Sequence, residues 1–289
     1  MKERVPVAGR TAVISGAASG IGRALAVRLA EHGCALALSD WDEAGLKETA
    51  AAVDTPVLTR VLDVRDRDAQ LSWADDVAGW SPSRLGMVVN NAGVVLTQWA
   101  AQADYDDDKW LMDINFWGVA HGTRAFLPHL IDQGSGAVVN LSSIFGLCAF
   151  PSQSAYCAAK FAVRGYTEAV RQELHGTGVR AITVHPGGVR TPITRKGRVR
   201  VDPLGDPDLE KFHQNFSAIA LTSPEQAAET IHRGVARGHA RILVGLDARL
   251  TLVATTMLPT RYADVMRLAA PLARAALQRQ LPWRDRHPG

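Results

Sequence analysis

The 289-residue sequence predicts an α/β domain built on a doubly wound parallel sheet. Three observations predict it. Short apolar runs of strand length alternate with longer helical patterns, with no internal break in composition. The first run is followed at once by a glycine-rich turn that opens a helix. The second run ends in an acid, Asp40, where an open α/β sheet meets the ribose of a nucleotide.

The strand candidates are 11–15, 35–39, 57–62, 86–90, 137–141, 179–184 and 241–244, and helical patterns fall notably at 20–31, 43–52, 107–131, 153–175 and 224–236. In the first strand, Thr11-Ala12-Val13-Ile14-Ser15 leads into Gly16-Ala17-Ala18-Ser19-Gly20-Ile21-Gly22. Gly16 permits the tight turn, Gly20 lets backbone approach a pyrophosphate, and Gly22 allows close helix–strand packing. Phosphate would then meet the N–H groups and positive dipole end of the new helix. The spacing is G-x-x-x-G-x-G, and glycine turns of any spacing occur in chains that bind nothing, so the context has to decide.

That context begins with the second strand, Cys34-Ala35-Leu36-Ala37-Leu38-Ser39, which ends in Asp40. An acid there can accept hydrogen bonds from both ribose hydroxyls and repels a 2′-phosphate, which argues for NAD over NADP. No arginine or lysine flanks the turn to reverse this, since Ser19 precedes the second glycine and Trp41 follows Asp40. The plainer role for Asp40 is the N-cap of a helix beginning near Asp42.

Further along, the apolar run Ala137-Val138-Val139-Asn140-Leu141 reads as a buried strand, with Ser143 just past its end, where open α/β sheets place their chemistry. Thirteen residues later comes Tyr156, and Lys160 lies one helical turn beyond on the same face. A free phenol has a pKa of about 10, and a fixed cation favours the phenolate and lowers it. Tyr156 thereby becomes a general acid/base, and the Ser143 hydroxyl can bond the oxygen of the same carbonyl or carbinol. Taken alone, a Tyr/Lys pair at this spacing is more often a solvated helix face.

Together these residues resemble the short-chain dehydrogenases/reductases in their single-domain form, over about Thr11 to Gly245. Ser15 through Gly22 looks like the family's T-G-x-x-x-G-x-G with serine in place of threonine. The resemblance implies a Rossmann fold and assigns further residues. Asp63 and Val64 match the acid that touches the adenine and its neighbour. Asn90-Asn91-Ala92-Gly93 matches the N-N-A-G turn after the fourth strand. Pro186-Gly187 follows the sixth strand as the family's P-G does, with Val189 and then Thr191 where a hydroxyl meets the cofactor's carboxamide side. Asn115, Ser143, Tyr156 and Lys160 match the catalytic tetrad. The implied cofactor contacts are therefore Gly16, Ser19, Gly20, Ile21, Gly22, Asp40, Asp63, Val64, Asn91, Ala92, Gly93, Tyr156, Lys160, Pro186, Gly187, Val189 and Thr191.

By the same resemblance Tyr156 exchanges the hydroxyl proton, Ser143 positions the oxygen, Lys160 lowers the tyrosine pKa and bonds the nicotinamide ribose, and Asn115 holds a water linking the lysine to solvent. Hydride transfer belongs to the cofactor. The expected activity is a reversible NAD-linked alcohol/ketone oxidoreductase. Two alternatives stand beside it: an NADP-linked carbonyl reductase, opposed by Asp40, and a cofactor-binding regulatory module without turnover, opposed by the intact tetrad. The related epimerases need a larger substrate domain than this chain has room for.

Composition fits one large α/β domain, with 47% hydrophobic and 21% charged residues. A net charge of +3 does not suggest nucleic acid. Three cysteines, Cys34, Cys148 and Cys157, have no metal-like spacing, and the N-terminus has no apolar signal region, so a reduced cytoplasmic setting is expected. The nine histidines show no H-x-x-x-H pattern, and no metal is expected. The acidic run Asp104, Asp106, Asp107 and Asp108 reads as the solvated first turn of a helix.

Two regions lie outside the uniform core. Residues 189–221 are the substrate lid by resemblance, and the basic cluster Arg195, Lys196, Arg198 and Arg200 reads as a solvated loop in preference to an anionic-substrate clamp. Apolar residues near the site, Ile144, Phe145, Leu147, Phe150 and Pro151, favour a hydrophobic ketone or alcohol. The dinucleotide-binding and catalytic domain is expected over 1–246, with a C-terminal helical extension over 247–289. That extension is basic and amphipathic; it can lie on an anionic membrane surface, but packing within a subunit or across an interface is favoured. Trp99, Trp110, Phe116 and Trp117 fall where the family makes subunit contacts, which implies a homodimer or homotetramer.

Overall fold

The computed structural model describes residues 5–201, 210, 213–214 and 220–264. Within the expected lid, Phe212 and Phe216 lie outside the described residues, and so do the arginines from Arg267 onward in the expected extension.

Seven parallel strands form one sheet in the order β3-β2-β1-β4-β6-β7-β9. They are β1 (Thr11–Ser15), β2 (Ala35–Asp40), β3 (Val57–Val61), β4 (Leu85–Asn90), β6 (Gly136–Leu141), β7 (Val179–Pro186) and β9 (Arg241–Val244). The order reverses at β1, which pairs β2 on one side (Ile14 with Leu38) and β4 on the other (Ile14 with Val89). A crevice therefore opens at the carboxyl ends of β1 and β4, where such sheets take ligands.

Both faces are covered, so the central strands read as continuous apolar runs instead of alternating. Ile14, Leu36, Leu38 and Ile182 point to the face where α1 (Gly20–Ala30) and α7 (Pro224–Ala236) bring Leu25, Leu29 and Ile231. Val13, Val88 and Val138 point to the opposite face, against Trp73 and Val77 of α3 (Arg67–Trp80) and Phe126 and Leu130 of α5 (Gly118–Gln133). Each fully buried leucine contributes about 1.5–3 kcal/mol by leaving water. Side-chain caps set several helix starts: Asp42 accepts from Gly45 N in α2 (Glu43–Ala51), Asp66 from Ala69 N in α3, and Ser223 and Gln226 form a reciprocal box on α7.

Three features differ from expectation. Helix α3 is present between β3 and β4. The helix expected over 107–131 is three pieces, α4 (Tyr105–Met112), a π-helical turn (Asp113–Trp117) and α5. A second, two-stranded parallel ribbon pairs β5 (Leu96–Thr97) with β8 (Arg198–Val199). The remaining helices are α6 (Ser154–Glu173) and α8 (Leu246–Met257), the latter crossing the expected boundary at 246 and 247. Among the described residues no helix is long and apolar enough to cross a membrane. Helix α8 nevertheless exposes Leu246, Leu250, Val253 and Met257, which recur at helical spacing on one face.

Candidate active site

The glycine turn is held open by its neighbours. Gly16 and Gly20 adopt left-handed backbone (φ +68° and +55°), and side chains there would meet the Ala92 backbone and the Thr191 methyl group, respectively. Ser15 Oγ accepts from the N–H groups of Asn91 (3.1 Å) and Ala92 (3.3 Å), while Asn91 Nδ2 donates to the carbonyls of Ser15 and Gly16, both at 3.0 Å. The serine that replaces threonine thus keeps a working hydroxyl. Ser19 is the N-cap of α1 but makes no side-chain cap, so the first N–H groups of that helix face the crevice without a side-chain acceptor.

The crevice has a volume of about 310 Å³. Of the expected contacts, Gly16, Ser19, Gly20, Ile21, Asp40, Asp63, Val64, Asn91, Ala92, Gly93 and Thr191 line it. Gly22, Tyr156, Lys160, Pro186, Gly187 and Val189 do not. Gly22 packs behind the turn against Gly16, and Val189 pairs with Thr222. Gly187 lies against Asp247, whose carboxylate accepts from Gly188 N at 2.6 Å. Several lining residues were not foreseen, namely Trp41, Leu62, Arg65, Val94, Trp110, Ile114, Pro192, Ile193 and Lys196.

Asp40 is buried at the end of β2, Oδ2 accepting from Ala18 N (2.9 Å) and Oδ1 from Asp42 N (3.0 Å). The cap of α2 is Asp42, so the capping role open to Asp40 belongs to its neighbour. Asp63 is gripped by Arg65 through both carboxylate oxygens, and that guanidinium holds the carboxyl below the usual range. An uncapped helix start, a glycine turn that admits no side chains and an acid at the ribose end fit a nicotinamide dinucleotide.

Past the crevice, the tetrad residues assemble from three segments of the chain. Asn115, fully buried in the π-helical turn, pairs its amide with Val94, accepting from Val94 N and donating to Val94 O at 2.8 Å each. Gly93 leaves space beside it: a Cβ there would lie 3.2 Å from Asn115 Oδ1 and 3.5 Å from Lys160 Nζ. Ser143 lies two residues past the end of β6 and caps the short 3-10 turn Ile144–Gly146 by accepting from Phe145 N. Tyr156 and Lys160 share the buried face of α6, with the ammonium 5.6 Å from the phenol ring centroid and donating to Leu141 O at 3.1 Å.

Burial dominates the electrostatics of this pair. Burial pushes the Tyr156 phenol up to about 12, against the lowering effect of the Ser143 hydroxyl, and pulls Lys160 down to about 8. Desolvation of the phenolate thus outweighs the hydrogen bond from Ser143. Behind Ser143, fully buried His185 places Nδ1 2.9 Å from the Ser143 carbonyl, and burial pulls this imidazole down to about 4. A neutral ring facing a carbonyl must carry its proton on Nδ1.

The segment expected as a solvated lid loop is instead ion-paired. Arg198 and Arg200 both bind Asp107, which is 2% exposed, and Arg198 also lies over the Trp110 ring at 4.0 Å. The acidic run is likewise not uniformly solvated: Asp104 caps α4, Asp108 accepts from Gln98, and Asp107 is buried. Arg195 pairs with Glu210, and Lys196 reaches Asp42 and Ser19. From the C-terminal side, Tyr262 Oη accepts from Ala149 N at 3.1 Å, next to the aromatic pair Phe145 and Phe150 that adjoins Tyr156. Among the described residues no cluster could hold a metal ion.

The family model of the short chain dehydrogenases matches residues 10–201. The chain belongs to this family. It is 44% identical over 281 residues to the putative oxidoreductase SadH of Mycobacterium tuberculosis, covering 95% of this chain and 98% of that one. Among solved structures it resembles a short-chain dehydrogenase/reductase from Burkholderia phymatum in complex with NAD (TM-score 0.78, 28% identity, 91% of this chain and 96% of that one). It also resembles levodione reductase (TM-score 0.75, 28% identity, 85% and 99%). As a short-chain dehydrogenase/reductase it is an oxidoreductase with a Rossmann-like sheet and a nicotinamide dinucleotide site.

Proposed function

We propose that the protein interconverts an apolar secondary alcohol and its ketone, with NAD(H) favoured over NADP(H). The observation that carries this reading is the buried Tyr156, with the Ser143 hydroxyl beside it and the Lys160 ammonium over its ring, at the carboxyl end of the sheet past the dinucleotide crevice. Bound nicotinamide supplies the hydride chemistry. The chain's residues do the rest. Tyr156 gives its proton to the developing alkoxide in reduction and takes it back in oxidation. Ser143 donates to the same oxygen and holds it in line. Lys160 would hold the ribose of the bound dinucleotide and offset negative charge as it forms. The Asn115 amide is committed to Val94, so its part is to hold the turn that brings Gly93 and Lys160 together.

Phe145 and Phe150, stacked at 5.6 Å beside Tyr156, favour an apolar substrate. The exposed stripe on α8, together with Trp99 and Trp117, favours self-association into a homodimer or homotetramer over a membrane contact. The buried, unpaired Cys34, Cys148 and Cys157 suit the reducing cytoplasm.

The test is fluorescence binding of NADH, followed by turnover against a panel of apolar secondary alcohols and ketones, including steroids and long-chain carbonyls. Tyr156→Phe should abolish turnover and leave NADH binding nearly intact. Retained turnover would sink the assignment.

A further inference from the structure

The turn around Gly20 presents no free cation at the expected ribose acid, since Ser19 precedes Gly20 and Trp41 follows Asp40. The fold supplies one from 177 residues away. Lys196 follows the 3-10 turn Pro192–Thr194 and reaches back to the adenosine end of the crevice, its Nζ 3.4 Å from Ser19 Oγ and 2.9 Å from Asp42 Oδ2. It lines the same crevice as Asp40 and Trp41. We propose that Lys196 reads the ribose 2′ position, so that the crevice accepts the 2′-phosphate of NADP(H) alongside the hydroxyls of NAD(H). This rests on the dinucleotide reading of the crevice and deepens it.

Four observations support it. The Lys196–Asp42 pair is one-third exposed on both sides, so it is weakly held. A 2′-phosphate carries nearly twice the charge of a carboxylate and can draw the ammonium away at small cost. Asp42 divides its carboxylate, with Oδ1 capping α2 through Gly45 N and Oδ2 on Lys196, so giving up the lysine leaves the helix cap intact. Asp40, the group that should repel a phosphate, has each oxygen already accepting a main-chain N–H, which blunts its field at the ribose. Arg23 is engaged elsewhere, by Ala18 O, Gly45 O, Thr49 and Glu48.

The experiment compares wild type, Lys196→Met and Asp42→Asn for NADH and NADPH binding by fluorescence. Displacement of NADH by 2′,5′-ADP and by AMP isolates the 2′-phosphate from the nicotinamide half. Asparagine is itself a good N-cap, so Asp42→Asn keeps the start of α2. Wild type should bind NADPH within about tenfold of NADH, and Lys196→Met should weaken NADPH and 2′,5′-ADP by about tenfold or more while NADH and AMP move less than about threefold. Asp42→Asn, which frees the ammonium, should strengthen NADPH severalfold. An unchanged ratio in Lys196→Met, an equal loss of both nucleotides, or wild type that binds NADH but not NADPH would overturn the inference. Failure of wild type to bind either nucleotide would instead overturn the dinucleotide reading beneath it.

Discussion

The carboxylate of Asp107 in α4 accepts from Arg198 at 2.5 Å and, through its other oxygen, from Arg200 at 2.7 Å, so one buried acid fastens the β8 segment to the wall of the crevice. Two guanidiniums hold this carboxyl below the usual carboxylate range, Arg200 contributing most. The Arg198 guanidinium is sandwiched between that acid and the Trp110 ring, which itself lines the crevice. The β5–β8 ribbon therefore rests on a charge cluster more than on its two paired residues.

Asp107→Asn should release both arginines. Because they are 40% and 56% exposed, the loss is smaller than for a fully buried pair, about 1–3 kcal/mol. Urea unfolding measures it, and the substrate KM should rise more than kcat falls.

Lys160→Met should separate stability from activity. The lysine is pulled from 10.5 to about 8, so the unfolded chain holds its proton more tightly than the folded one. That cost of folding is full below about pH 8 and fades as pH rises toward 10.5. Methionine removes it, so unfolding at neutral pH should become harder by up to about 3 kcal/mol, with turnover lost. An equal or lower unfolding free energy would show that the buried ammonium is repaid by its bond to Leu141 O.

The raised phenol dictates the pH dependence. With Tyr156 pushed up to about 12, the acid form dominates at neutrality, so ketone reduction should be flat from about pH 6 until Lys160 discharges near 8. Alcohol oxidation needs the phenolate, so its kcat/KM should climb from neutrality until Lys160 discharges near 8. A plateau near neutrality would mean that the bound cofactor reverses the effect of burial.

His185 should act on Ser143 through the main chain. Its Nδ1–H holds the Ser143 carbonyl, while Nε2 is buried without a partner, so one bond orients the whole ring. His185→Leu should lower kcat about tenfold, leaving NADH affinity unchanged, and His185→Asn, which can still donate, should recover part of it. Because the imidazole is held down to about 4, the wild-type pH profile should show no limb near 6.5.

The parts of this protein that could be read from its sequence are those where local pattern and chemistry coincide. The strands near the site are buried on both faces, so 137–141 and 179–184 stand out as apolar runs, and the Gly16 and Asp40 positions follow from their ends. Helix α3 was hidden by its polar composition, since only Gln70, Trp73, Ala74 and Val77 face the core. The break at 113–117 was hidden because a π-helical turn keeps helical residues and only changes the register. Lys196 and His185 act across long sequence separations that no local pattern records. The direction of the Tyr156 shift depends on how dry its surroundings are, which the spacing to Lys160 does not encode.

The bond from Gly188 N to Asp247 carries a practical consequence for anyone who cuts or grafts this chain. A truncation that stops at the last strand of the sheet removes the acceptor that steadies the turn beyond β7, three residues before Thr191. The smallest transplantable unit accordingly runs through α8, and a swapped C-terminus has to bring its own carboxylate to that position.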